Sequence, residues 1–211
     1  FQAADGIIVV GQGANDRAVA ALSPLHAPMV VWGSPHSGVD YCVIGSDNHQ
    51  GGAISAERLL GLGRKRLAFV GDTRHAEMAS RERGFADAVE RCGLRLVASI
   101  ASPFTFDGGA AAARQLLDGG VGIDGVLLSS DVQAMGFVRT LLERGVRVPE
   151  DVSIIGYDDT AWAATFSPAI TSVHQDWAKG GSALAEAIVA LIEGRKAQSL
   201  KLATSLTVRA T

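Results

Sequence analysis

Short apolar runs alternate with helix-length stretches along almost the whole chain, and this alternation narrows the fold more than any other feature. Gly6 to Val10, Met29 to Trp32, Cys42 to Ile44, Arg66 to Val70, Leu96 to Ala101, Gly125 to Leu128, Val152 to Gly156 and Thr204 to Val208 read as strands. Helical periods lie over Ala53 to Leu62 behind an Asp47-Asn48 cap, Arg83 to Cys92, Ala110 to Leu117 behind Asp107, Asp131 to Arg144, and Trp177 to Ile192. Regular alternation implies parallel strands joined by right-handed crossover helices. Strands buried on both faces read as continuous apolar runs, which these do. With 47% hydrophobic and 19% charged residues, the chain has enough apolar surface for a core. The one long stretch without regular structure is Asp158 to Ala169, a length that usually carries function.

Several function classes find no support. Every apolar run is strand-sized, far short of the roughly 20 residues a membrane span needs. Phe1-Gln2-Ala3-Ala4-Asp5 has neither the basic nor the apolar region of a secretory signal. Cys42 and Cys92 lack metal spacing and read as buried free thiols. A net charge of −3, with Arg64-Lys65-Arg66 as the densest basic cluster, does not support DNA binding by these residues alone. Gly11-Gln12-Gly13 follows a strand, but Asp16 stands where the dinucleotide fingerprint needs a third glycine. There is no Walker loop and no Gly-x-Ser-x-Gly elbow, and His26, His36, His49, His75 and His174 are scattered. The reading is not an enzyme, with no cofactor and no metal.

Ligands of open parallel sheets bind beyond the carboxyl ends of the strands. The residues there are Gly71-Asp72-Thr73 with Arg81 beyond, Phe104, Ser129-Ser130-Asp131 and Tyr157-Asp158-Asp159. They supply a guanidinium, an aromatic face, hydroxyls and carboxylates, a set that suits a polyhydroxylated ligand. On chemistry alone, Ser130 and Asp158 as caps and Arg81 and Arg83 as solvated charges fit equally well.

Arg147 to Asp159 (RVPEDVSIIGYDD) resembles the VPEDVSVIGYDD signature of the lactose/galactose repressor family. Ser167 to Asp176 resembles that family's sPpLTtv.q. Asp5 to Val9, Ser46-Asp47-Asn48 with Gly51-Gly52, Leu62 to Phe69, and Ser130 to Gly136 match further motifs in order. The resemblance covers essentially the whole chain. It implies a periplasmic-binding-protein-like α/β fold: two doubly wound parallel-sheet subdomains joined by crossing strands, with the N-terminal subdomain truncated. The expected division is 1–64 with about 176–194, and 65–175 with about 198–211. It also implies that the helix-turn-helix headpiece and first strands are missing, which leaves the Gly6 to Val10 edge unpaired.

Carried over residue by residue, the resemblance implies that Arg81, three before Gly84-Phe85, holds a small-molecule effector. Asp158 accepts from it, and Phe104, five before Gly109, stacks on it. Ser130 stands where an effector-contacting Asn is common. Gln175 and Trp177 close over the ligand from the third crossing, and Asp47 sits at the subdomain junction. His75 and Glu77 replace the arginine and threonine of the purine-binding branch, so the effector is read as a sugar or sugar phosphate. The implied protein is a cytoplasmic homodimeric transcriptional regulator that reaches DNA only through its headpiece and has no membrane partner. The alternative is a sugar-binding protein of an ABC transporter.

Overall fold

The computed structural model describes residues 4–11, 19, 27–34 and 41–211. The chain divides into two compact units, the first from Phe1–Asp47, Arg74–Glu77 and Asp176–Ala203, the second from Asn48–Thr73, Met78–Gln175 and Thr204–Thr211.

The first unit holds a parallel sheet of β1 (Ile7–Val10), β2 (Met29–Trp32), β3 (Cys42–Ser46) and β9 (Leu200–Leu202), in that spatial order. Successive side chains of β2 point to opposite faces. Val30 and Trp32 join Cys42, Ile44 and Leu202 against Leu184 and Ile188 of the helix Trp177–Ile192. Met29 and Val31 join Tyr41 and Val43 on the other face. Both faces are thus covered, which is why the run is apolar throughout. β1 departs from this: Ile8 and Val10 are 44% and 73% exposed and Ile7 and Val9 are half-buried, so it is covered on one face only, not buried on both as its sequence suggests. Among the described residues β1 pairs only with β2.

The second unit holds six strands in the order β10 (Ser205–Thr207), β8 (Thr171–His174), β7 (Ser153–Asp158), β6 (Gly125–Leu128), β4 (Leu67–Val70) and β5 (Ala98–Ile100). All pairings are parallel except β10 with β8. Helices α1 (Asn48–Gly61) and α2 (Ala76–Arg91) cover one face through Leu59, Phe85 and Val89, which meet Phe69, Leu127 and Tyr157. Helices α3 (Phe106–Asp118) and α4 (Asp131–Glu143) cover the other through Leu116, Phe137 and Leu141, which meet Val126, Leu128 and Ile154. A short helix, α5 (Ala161–Thr165), follows β7, and α6 is Trp177–Ile192.

The structure corrects several sequence readings. Residues 48–64 lie in the second unit, not the first, because α1 packs on α2 and buries Ala56 and Leu59 there. Residues 198–203 go to the first unit, because β9, absent from the sequence reading, pairs with β3. Helix α2 starts at Ala76, seven residues before Arg83; its buried stripe includes Arg81, a residue type that hides the apolar period of the first turns. Thr105, not Asp107, caps α3 by accepting from the Gly108 N–H. The segment Asp158 to Ala169 contains α5, capped by Thr160. Cys42 is buried, but Cys92 is exposed, at the outer end of α2. The Gly11-Gln12-Gly13 reading with Asp16, and His26 and His36, fall outside the described residues except for Gly11.

Candidate functional site

Two helices meet at unusually short range to place the central side chain. A Cβ on Gly52 would lie 2.0 Å from the Arg81 carbonyl oxygen, and one on Gly84 would lie 1.9 Å from that of His49. With hydrogen in place of Cβ, the backbones of α1 and α2 touch. That contact brings Asn48, the first residue of α1, beside Arg81.

Arg81 is only 5% exposed. Its Nε donates to Asn48 Oδ1 at 2.8 Å and its Nη1 to the Ser129 carbonyl at 2.6 Å. The guanidinium lies 3.5 Å from the centroid of the buried Tyr157 ring, a cation–π contact strengthened by burial. A guanidinium has about five N–H donors in a planar fork. Those not spent on Asn48 and Ser129 have no hydrogen-bond partner among the described residues.

Asp158 ends β7 with φ at 104°, and Asp159 follows at 53°. Both lie in the left-handed half of backbone space, where non-glycine residues are strained and which functional sites favour. The turn is held from several sides. Asp131 accepts from Ser172 Oγ at 2.6 Å and from Thr160 N and Oγ1 at 2.7 and 2.9 Å. Asp159 receives Thr207 Oγ1 at 2.9 Å, pairs with His174 and Arg209, and offers its N–H to Ser172.

The electrostatics separate the three aspartates. Burial pushes the Asp158 carboxyl up to about 6; Arg81 pulls it down, Asp131 adds repulsion, and the Gln175 amide, donating at 2.7 Å, pulls it down again. Burial also raises Asp131, against the bonds from Ser172 and Thr160. For Asp159, burial is outweighed by bonds from Arg209, Thr207 and His174, and its carboxyl falls below the ordinary range.

Of the residues singled out in the sequence, Arg81, Phe104, Ser130, Asp158 and Gln175 fall in the second unit. Arg81 and Asp158, 77 positions apart, feel each other's charge, and Gln175 bonds Asp158. The Ser130 hydroxyl caps α4 and also donates to Gln133 at 3.2 Å. Phe104 is 39% exposed. Asp47 and Trp177 fall in the first unit. Asp47 pairs with Lys201 at 3.0 Å. Trp177 stacks on Trp32, with centroids 5.1 Å apart and planes tilted by 36°; Gly180 clears the space, since a Cβ there would lie 2.4 Å from Trp32 Cζ3.

Ser129 and Tyr157, which fix Arg81 together with Asn48, lie beyond strand ends where the sequence placed the ligand; Asn48 and Gln133 carry no such mark in the sequence reading. The signal for Asn48 was the pairing of Gly51-Gly52 behind it with Gly84 behind Arg81, the mark of a close helix crossing. In the basic cluster, Arg64 Nε donates to Ser153 Oγ at 3.1 Å and its Nη2 to the Pro149 carbonyl; the backbone N–H groups of Lys65 and Arg66 donate to Asp124, and the exposed Arg66 side chain lies 3.6 Å from Asp124. Among the described residues no cluster of His, Cys, Asp or Glu could hold a metal ion, and no helix is long and apolar enough to cross a membrane.

The periplasmic binding protein-like domain family matches residues 56–211. The chain belongs to this family. Its periplasmic binding protein-like relatives are regulators of the lactose-repressor type. It is 32% identical over 217 residues to the HTH-type transcriptional regulator CelR of Thermobifida fusca, covering 99% of this chain and 63% of that protein. It is 31% identical over 177 residues to the HTH-type transcriptional repressor PurR of Haemophilus influenzae (strain PittEE), covering 81% of this chain and 52% of that one. Among solved structures, a transcriptional regulator CelR–cellobiose complex superposes with a TM-score of 0.91 at 31% identity, over 99% of this chain and 66% of the other. A LacI family regulator from Mycobacterium smegmatis superposes at 0.88 with 28% identity, over 98% and 78%. The chain thus spans about half to two thirds of the length of the CelR and PurR relatives. The match to the periplasmic binding protein-like family takes in Arg81, Phe104, Ser130, Asp158, Gln175 and Trp177, and leaves out Asp47 and Asn48.

Proposed function

We propose that this chain is the effector-sensing part of a DNA-binding transcriptional regulator of the lactose-repressor type, and that its effector is a sugar. The observation that carries the reading is the buried Arg81 guanidinium, held by Asn48 and Ser129 and coupled to Asp158. A fixed fork of donors beside a carboxylate acceptor matches adjacent hydroxyls, each of which both accepts and donates. Phe104, 39% exposed, offers a ring to the C–H face of a pyranose. The structural similarity to a CelR–cellobiose complex supports the sugar class. The purine-binding branch of the family that the sequence resembles makes a purine the competing effector. His75 and Glu77 stand where that branch has an arginine and a threonine, which favours the sugar.

DNA would be reached through a helix-turn-helix outside these 211 residues, and the working form would be a cytoplasmic two-fold dimer. The names of the relatives support a regulator over an ABC-transporter binding protein. A ligand shifts such a two-state switch only by its differential affinity for the two states. The test is thermal denaturation with cellobiose, glucose, glucose 6-phosphate, guanine and hypoxanthine. A rise in Tm with a neutral saccharide alone supports the reading; a rise with a purine alone overturns it.

A further inference from the structure

Gln133 is fully buried, within the first turn of α4. Its Oε1 accepts from Ser129 Oγ at 2.7 Å and Ser130 Oγ at 3.2 Å. Its Nε2 donates to the Ser102 carbonyl at 3.1 Å and the Pro103 carbonyl at 2.9 Å. One amide therefore ties the turn at the start of α4 to the loop that carries Phe104. The reach depends on backbone contact between α3 and α4: a Cβ on Gly109 would lie 1.9 Å from the Gln133 carbonyl oxygen.

The network continues on both sides. Ser129 offers its hydroxyl to Gln133 and its carbonyl to Arg81, which in turn holds Asn48. Pro103 directly precedes Phe104. A single line of hydrogen bonds thus runs from Asn48 through Arg81, Ser129 and Gln133 to the base of the aromatic residue. An apolar side chain of the same volume would fill the space but give it no direction. The amide constrains two carbonyls and two hydroxyls at once, and buried polar groups so matched fix a unique arrangement.

We propose that Gln133 is a positioning residue of the effector site. It holds the Phe104 platform at a set distance from the Arg81 guanidinium, and so selects which effectors fit. Gln133 touches no effector atom itself, because it is fully buried. The inference rests on the effector reading above, and specificity here is a difference between affinities.

Deuterium exchange on the ligand-free chain tests the holding role in the wild type, Gln133→Met, Ser129→Ala and the double variant. Gln133→Met should speed exchange across residues 102–108 by at least about tenfold and leave β2 and β3 unchanged. Ser129→Ala, the milder change, should give a smaller effect over the same residues, and the double variant should exchange no faster than Gln133→Met. Unchanged exchange over 102–108 would overturn the proposal, as would an equal acceleration in β4 and β6, which marks general loosening. Titration with cellobiose and with glucose tests selection: the ratio of the two affinities should change at least about fivefold in Gln133→Met. An unchanged ratio overturns the selecting role. If the wild type binds neither sugar, the sugar reading falls, and the exchange measurement still decides whether Gln133 holds the loop.

Discussion

A charge buried like that of Arg81 costs several kcal/mol unless its donors are matched. Asn48 and the Ser129 carbonyl match part of the fork, and the Tyr157 face lies against the guanidinium. Truncating a buried charged partner of a ligand typically costs about 2–5 kcal/mol of binding. Arg81→Ala and Asp158→Ala should therefore each weaken effector binding at least about tenfold by calorimetric titration. Arg83→Ala, exposed on the same helix, should not; equal losses from Arg81 and Arg83 would remove the site. The carboxyl of Asp158, raised to about 6, gives a pH signature. A hydroxyl-bearing effector donates to the ionised form, so affinity should hold above pH 6 and fall below it, by up to about tenfold per pH unit. Stability runs the opposite way. A carboxyl raised by folding contributes stability that is full below the ordinary carboxylate range and lost as pH rises through 6. Asp158→Asn should then raise the stability of the ligand-free chain at pH 8 by about 1–3 kcal/mol, measured by urea denaturation, with little gain at pH 4.

The elements matter by how closely they approach. Gly84→Ala would put a methyl group against the His49 carbonyl, with 1.9 Å to share. The α1–α2 crossing must open, and Asn48 is drawn off Arg81. Binding should fall with Gly84→Ala by a factor comparable to Arg81→Ala, whereas Gly61→Ala, which meets nothing within 4 Å, should leave it unchanged. Phe137, fully buried between α4 and the sheet, tests the opposite case. Phe137→Ala should cost about 3–5 kcal/mol of stability by urea denaturation, as large core truncations do. Most elements were legible because parallel strands buried on both faces are continuous apolar runs. The early start of α2 was not, since Met78, Arg81 and Phe85 form its inward stripe and an arginine reads as outward. β9 was missed because three residues with a central, exposed lysine show no pattern.

For the whole molecule, the net charge of −3 predicts that this chain alone does not retard operator-length DNA at physiological salt. Binding with the steep salt dependence of phosphate neutralisation would contradict that expectation. By itself, the sequence determined the α/β class, the order of nearly all elements and the family, because alternation and the GYDD stretch are local patterns. It also brought forward Arg81 and Asp158 as candidates. Only the tertiary structure decided that α1 belongs with the second unit and that β9 completes the first sheet. It alone showed that Arg81 is held by Asn48, Ser129 and Tyr157. Those facts depend on backbone approach and on partners tens of residues apart, and no local pattern in a chain encodes a distance.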